Sequence, residues 1–233
     1  MNIILDGLGG DNVPLETLRG AAAAVKSYGI SMTVTGDVSA MHDCAVCHNI
    51  PLDSIELVEA PRIIPMDLDP TRILKDYADS SMAVGLRLLS EGQGDAFVSA
   101  GSTGALLMGA TFVAKRLKGV RRPAIGTMIP GLDGKPYLLI DAGANHDCRP
   151  EMLRQFGIMG SIYFGSLMGV AAPRVGLVNI GTEAHKGDEL RRGAYELLSS
   201  SKEIHFIGNI EARELPNGGC DVAVCDGFTG NII

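Results

Sequence analysis

Twelve polar residues stand in short, glycine-bearing turns that follow apolar runs: Asp6, Asp11, Ser99, Ser102, Thr103, Asp141, Asn145, Asn179, Glu183, Asp226, Thr229 and Asn231. The clearest turns lie in DAFVSAGSTGA (95–105), YLLIDAGAN (137–145), RVGLVNIGTE (174–183) and DVAVCDGFTGN (221–231). In an open α/β sheet the carboxyl ends of strands line the ligand crevice, and helix N-termini there present free N–H groups to anions. The pattern predicts that these polar residues meet in one phosphate-binding, enzyme-like site.

Individual turns allow more than one chemistry. Gly101-Ser102-Thr103-Gly104 offers two hydroxyls and free amides at a helix start, enough to cradle a phosphate, whereas an ordinary N-cap needs only one hydroxyl. Lys186, in NIGTEAHKGDE, supplies the positive charge an anionic substrate needs in an acidic chain; its plain alternative is a solvated lysine beside Glu183 and Asp188. His185 is a proton shuttle or simply an exposed loop histidine. Gly7-Leu8-Gly9-Gly10-Asp11-Asn12 resembles the start of a dinucleotide fingerprint but has Asn12 in place of the third glycine. Asp37 stands where the acid after the second strand is expected. A nicotinamide-dependent oxidoreductase is therefore the alternative function. Neither a Walker loop nor a G-x-S-x-G elbow occurs.

Cys44-Ala-Val-Cys47-His48 matches the haem-attachment pattern, which requires export; the simpler reading is a short helix surface. Cys148, Cys220 and Cys225 read as small core or turn residues. Lys115, Arg116, Lys118, Arg121 and Arg122 form the dense basic run, either favourable charge at a helix C-terminus or a dock for an acidic partner.

The elements that must position these groups alternate. Strand-like runs fall at 2–6, 31–36, 54–58, 95–99, 124–129, 136–141, 174–179, 204–208 and 221–225. Helical patterns fall at 14–28, 38–48, 80–91, 103–118, 149–168 and 187–200. That order predicts an α/β fold with a mostly parallel, helix-covered sheet. AIGTMIPGLDGKPYLLID adds a β-hairpin turning at 130–134, a second subregion or a dimer arm. Ser80 or Ser81, and Ser102 or Thr103, are the expected N-caps, and the helix after Thr103 is expected in the core. The segment 59–72, with three prolines, reads as a long ordered loop.

The bulk numbers set limits. With 233 residues and 46% apolar composition, the chain can bury a substantial core, read here as a single α/β catalytic domain over 1–233. A net charge of −7 gives no general attraction to nucleic acid, so no nucleic-acid partner is expected. Tryptophan is absent, which argues against an aromatic stacking platform. The reading is cytoplasmic, with reduced cysteines. CDGFTGN is a strand-to-helix turn followed only by Ile232 and Ile233, so the protein is expected to continue past residue 233.

Six strings, DGLGGDNVP, FVSAGSTGA, LLIDAGAN, NIGTEAHKG, GNIEARE and CDGFTGN, resemble in order and approximate spacing the bacterial phosphate acyltransferase family of phospholipid synthesis. The resemblance covers essentially all 233 residues. It implies transfer of the acyl chain of acyl carrier protein to inorganic phosphate, giving acyl phosphate, the acyl donor for glycerol 3-phosphate. It also implies a three-layer fold similar to phosphotransacetylases and isocitrate- or isopropylmalate-type dehydrogenases, and a homodimer. The enzyme would be cytoplasmic or peripheral to the membrane, where a membrane acyltransferase is the expected further partner. The chain departs from the family pattern at Ser102, where asparagine is common, at Thr182 and Ala184 around a single Glu183, and at Gly7-Leu8.

Phosphate is already an oxygen nucleophile, so the protein must hold it, stabilise the tetrahedral oxyanion and release the thiol. Ser102, Thr103, Gly104 and the amides of Gly143, Ala144 and Asn145 are expected to bind phosphate, with Gly9, Gly10, Asp11, Ser99, Gly101, Thr229 and Gly230 completing the substrate site. Lys186 would neutralise charge. Asn145, Asn179 or Asn231 would donate to the oxyanion, oriented by Asp226 or Asp141. Neither a metal nor an organic cofactor is expected, nor an acyl-enzyme on Cys225. A non-catalytic phosphate- or acyl-binding module is a further alternative.

Overall fold

The computed structural model describes residues 1–233, Leu74 through its backbone only. The chain forms two compact units, Met1–Leu117 and Lys118–Ile233.

In the first unit, β1 (Asn2–Asp6), β2 (Ser31–Gly36), β3 (Ile55–Glu59) and β4 (Ala96–Val98) form a parallel sheet in the order β3-β2-β1-β4. Alternation along β1 feeds both faces. Ile3 and Leu5 pack with Leu18 and Ala21 of α1 (Leu15–Tyr28) and Met41 of α2 (Val38–His48). Ile4, fully buried, points at Gly85 of α3 (Ser81–Ser90) from the other side. The result is helix, sheet and helix in three layers.

Ser80 is the N-cap of α3, its hydroxyl accepting from Ala83 N at 3.3 Å, while Ser81 is free to bond elsewhere. Ser102 likewise caps α4 (Thr103–Gly109). The helix expected over 103–118 is shorter: α-helical geometry ends at Gly109, and a π-helical segment, Ala110–Lys115, follows. Nor is it a core helix throughout, since only Ala105 and Gly109 are buried and Phe112 is 55% exposed. Gly109 lies so close to Leu86 that a side chain there would clash, while Leu106, Met108 and Val113 are partly buried against the same cluster. Of the expected loop 59–72, Glu59 still belongs to β3 and residues 60–69 are loop, joined by a bridge from Arg62 to Ser80 and running into a 3-10 turn, Pro70–Leu74.

In the second unit, β5 (Gly126–Pro130) and β6 (Pro136–Ile140) make the expected antiparallel hairpin. The sheet order is β5-β6-β9-β7-β8, with β7 (Arg174–Asn179), β8 (His205–Glu211) and β9 (Val222–Val224) parallel to β6. Long α5 (Pro150–Met168) and α6 (Glu189–Ser199) cover one face through Leu153, Phe156, Ala194 and Leu198, all fully buried. Tyr137, Leu139, Val178 and Ala223 fill the opposite face. The final turn closes into α7 (Gly227–Ile232). No helix among the described residues is long and apolar enough to cross a membrane.

Candidate active site

In the first unit the polar turns converge on Asp6, the last residue of β1 and 2% exposed. Its Oδ1 accepts from Ser81 Oγ at 2.5 Å and Leu8 N at 3.3 Å, and its Oδ2 accepts from Ser99 Oγ at 2.7 Å. Ser99 Oγ in turn accepts from Gly101 N at 3.0 Å. One carboxylate thus ties the turn after β1, the turn after β4 and the start of α3. A Cβ on Gly9 would stand 2.5 Å from Asp6 Oδ2, so only glycine lets the backbone run this close. Gly9, Gly10, Gly101 and Ser102 line a cavity of about 150 Å³ with Asp6 and Ser81. Asp11 is exposed, and Gly104 packs against Pro70. Asp37 has a structural task as N-cap of α2, accepting from Ala40 N at 2.9 Å. Ser81 was not an expected site residue; sequence marks it only as a capping hydroxyl.

The second unit repeats the device at Asp141, which follows β6 and is fully buried. Oδ1 accepts from the amides of Ile125 (3.0 Å), Gly143 (3.3 Å) and Ala144 (2.9 Å); Oδ2 accepts from Asn145 N and Nδ2, both at 2.8 Å. The amides of Gly143, Ala144 and Asn145, expected to receive phosphate, are therefore given to the protein's own carboxylate. A buried carboxylate must be solvated by donors, and these are the nearest ones. Asn145 has no N–H left for an oxyanion, because Nδ2 donates its second hydrogen to Pro123 O at 2.8 Å. Asn179 is also committed, donating to Lys186 O at 3.1 Å and accepting from Ile180 N at 2.8 Å, which shapes the loop carrying Lys186. Asn209 Nδ2 holds the same loop through Glu183 O at 2.8 Å.

Other groups of the second unit remain uncommitted. Among the described residues, the Lys186 ammonium and the Asn231 side-chain amide have no hydrogen bond or ion pair. Asn231 lies over Gly143, where a Cβ would meet its Oδ1 at 3.3 Å.

Asp226 is the N-cap of α7: Oδ1 accepts from Thr229 N at 2.9 Å and Oδ2 from Thr229 Oγ1 at 3.0 Å. Gly230 abuts the Asp141 carbonyl, and Gly227 N donates to Asn145 O at 2.8 Å, so the DAGAN and DGFTGN turns interlock. The residue that sequence reading missed is Arg191. Its guanidinium binds Asp226 and Thr229 Oγ1 (2.7 Å) on one nitrogen and Asp188 (2.6 Å) on the other. The only sequence signal is Asp188 three positions earlier, the spacing of an N-cap and its N3 partner. Arg191 and Thr229 stand with Ile180 and Ile232 around a cavity of about 480 Å³.

Cys225 is buried at 1% exposure, and burial pushes its thiol up to about 12, with Asp226 and Asp141 adding to the effect. It is a poor nucleophile for a physical reason, since the thiolate would be desolvated beside two carboxylates. Burial does the same to Cys220, up to about 12, and Cys148, up to about 11. Cys44, Cys47 and His48 lie on α2, and among the described residues no group of His, Cys, Asp or Glu could hold a metal. Lys115, Arg116, Lys118, Arg121 and Arg122 are all exposed; Lys115 ends the π-helical segment at φ 70°.

The family model described as "Fatty acid synthesis protein" matches residues 1–233. The phosphate acyltransferase of Halothermothrix orenii is 45% identical over 235 residues, covering all of this chain and 70% of its own length. That of Caldicellulosiruptor bescii is 44% identical over 234 residues, again covering all of this chain and 70% of its own. Among solved structures, a phosphotransacetylase from Streptococcus pyogenes superposes with a TM-score of 0.75 at 17% identity, over all of this chain and 79% of that one. The EutD phosphotransacetylase from Staphylococcus aureus gives 0.72 at 19% identity with the same coverage. These two likenesses establish the fold, an α/β arrangement with mostly parallel sheets. The 44–45% identity over its whole length settles the family: this chain belongs to that of the fatty acid synthesis protein.

Proposed function

We propose that this chain is a phosphate acyltransferase that moves a fatty acyl group from acyl carrier protein to inorganic phosphate, giving acyl phosphate for phospholipid synthesis. The observation that carries the reading is the 44–45% identity, over the full chain, to relatives named phosphate acyltransferase. Residues 1–233 constitute the catalytic part, working in the cytoplasm or at the membrane periphery as a homodimer.

The chemistry needs little from side chains. A phosphate oxygen attacks the thioester carbonyl carbon, a C–O bond forms, the C–S bond breaks, and the proton of hydrogen phosphate leaves with the thiol. Catalysis then rests on placing phosphate and stabilising the oxyanion. Lys186 is the cation for phosphate, because its ammonium has no competing partner among the described residues. Asn231 is the oxyanion donor: among the described residues its side-chain amide makes no hydrogen bond, whereas Asn145 spends both Nδ2 hydrogens and Asn179 spends one. Asp141 and Asp226 act as positioning residues that fix the two turns around it. The exposed basic residues Lys118 and Arg122, with Lys115, Arg116 and Arg121 in the same run, receive the acidic acyl carrier protein.

The test is thiol release from a long-chain acyl carrier protein, with and without inorganic phosphate and with no nucleotide. Release that requires phosphate supports the reading. Release that ignores phosphate, or none from a folded protein, removes it.

A further inference from the structure

The cavity of about 150 Å³ in the first unit has a composition that phosphate does not suit. Its polar floor is Asp6, Ser81 and Ser102, its walls include Leu8, Ile63, Met66 and Met82, and no lysine, arginine or histidine lines it among the described residues. Asp6 is 2% exposed and its bonds come from two hydroxyls and one amide, not from a cation. A phosphate dianion placed here would face a desolvated carboxylate with nothing to offset the repulsion. The hydroxyls of Ser81 and neighbouring Ser99 both give their hydrogens to Asp6, which leaves Ser102 as the side-chain donor at the cavity not already bonded.

What the cavity does offer is an acceptor. Asp6 Oδ2 takes a single hydrogen bond, from Ser99, which leaves lone-pair capacity for a donor from outside. Around that acceptor the walls are methyl and methylene groups of methionine, isoleucine and leucine. The complementary ligand is uncharged, bears N–H donors and has short methylene runs between them. A chain of secondary amides has this character, and the arm that carries an acyl thioester on a carrier protein or coenzyme is such a chain. Methionine walls suit a sulfur-bearing, flexible guest, being polarizable and unbranched.

We infer that the cavity between the turn after β1, the start of α3 and the loop at Ile63 and Met66 binds the neutral amide arm of the acyl donor, with Asp6 as its acceptor, and not the phosphate. The assignment rests on the acyl-transfer reading for the identity of the donor. It separates the substrates by charge: the cavity without cations takes the neutral arm and leaves the phosphate to a cationic group elsewhere.

Met66 and Met82 line this cavity and report on it directly. The experiment labels the full chain with 13C-methyl methionine, assigns the two signals with Met66→Leu and Met82→Leu, and titrates pantetheine and inorganic phosphate separately. The expected result is a saturable shift of both signals with pantetheine and none with phosphate. A shift with phosphate, or stillness with pantetheine, overturns the assignment. The readout does not depend on turnover: if the protein transfers no acyl group and pantetheine still moves both signals, the transfer reading fails and the cavity assignment stands.

Discussion

Arg191 closes on Asp226, joining the third residue of α6 to the N-cap of α7, with side chains 17% and 6% exposed. The same guanidinium holds Asp188, the N-cap of α6, so one fork fastens the starts of two helices. Removing it leaves Asp226 a buried carboxylate supported only by Thr229.

Arg191→Ala should therefore lower unfolding stability by about 3 kcal/mol, the scale for an unpaired buried charge. It should also lower kcat more than it raises the KM for acyl carrier protein, because the displaced group is the turn bearing Asn231. Arg191→Lys should recover part of the stability but not the two-sided fork. Urea unfolding and steady-state kinetics on the three proteins check this; an Ala variant with wild-type stability contradicts it.

Lys186→Ala should leave stability within about 0.5 kcal/mol, as expected for a side chain with no partner to lose. Its kcat/KM for phosphate should fall about 10²-fold or more, the loss typical of a group that stabilises transition-state charge. A variant that keeps its activity would return Lys186 to the role of a solvated loop lysine.

Cys225→Ser should retain substantial turnover, because a thiol raised to about 12 and 1% exposed does not act as an acyl acceptor. Alkylation of the native protein at pH 8 should modify exposed Cys47 and spare Cys225. Mass spectrometry of the alkylated peptides reads both; early labelling of Cys225 or an inactive serine variant argues for a covalent route.

Charge reversal at Lys118 and Arg122 should raise the KM for acyl carrier protein several-fold at low salt and leave that for acyl-CoA unchanged. The difference should shrink as ionic strength rises, since the residues are exposed and screened. An unchanged KM for acyl carrier protein in the variant would place the docking surface elsewhere.

The elements were legible because apolar β runs here end in glycine-bearing turns, and each of the nine expected strands appears within a few residues. The end of α4 was not, because the inward contact of Gly109 with Leu86 and the switch to π geometry after it leave no mark in a run of apolar residues. Within the candidate site, residue types pointed to the right turns but not to who bonds whom. Gly143, Ala144 and Asn145 look like free donors in sequence, and only the fold shows Asp141 taking their hydrogens. Arg191 was hidden for the converse reason. Among Asp188, Glu189 and Arg192 it reads as part of a solvated charged helix face, while its partner Asp226 lies 35 residues away in sequence.

Acyl transfer to phosphate is tested by following the phosphate oxygens. The full protein is supplied with long-chain acyl carrier protein and phosphate carrying 18O at all four positions, and the product is read by mass spectrometry. The expected product is acyl phosphate that keeps all four labelled oxygens, formed in step with free thiol. Free fatty acid without acyl phosphate, or product lacking the label, would contradict transfer to phosphate.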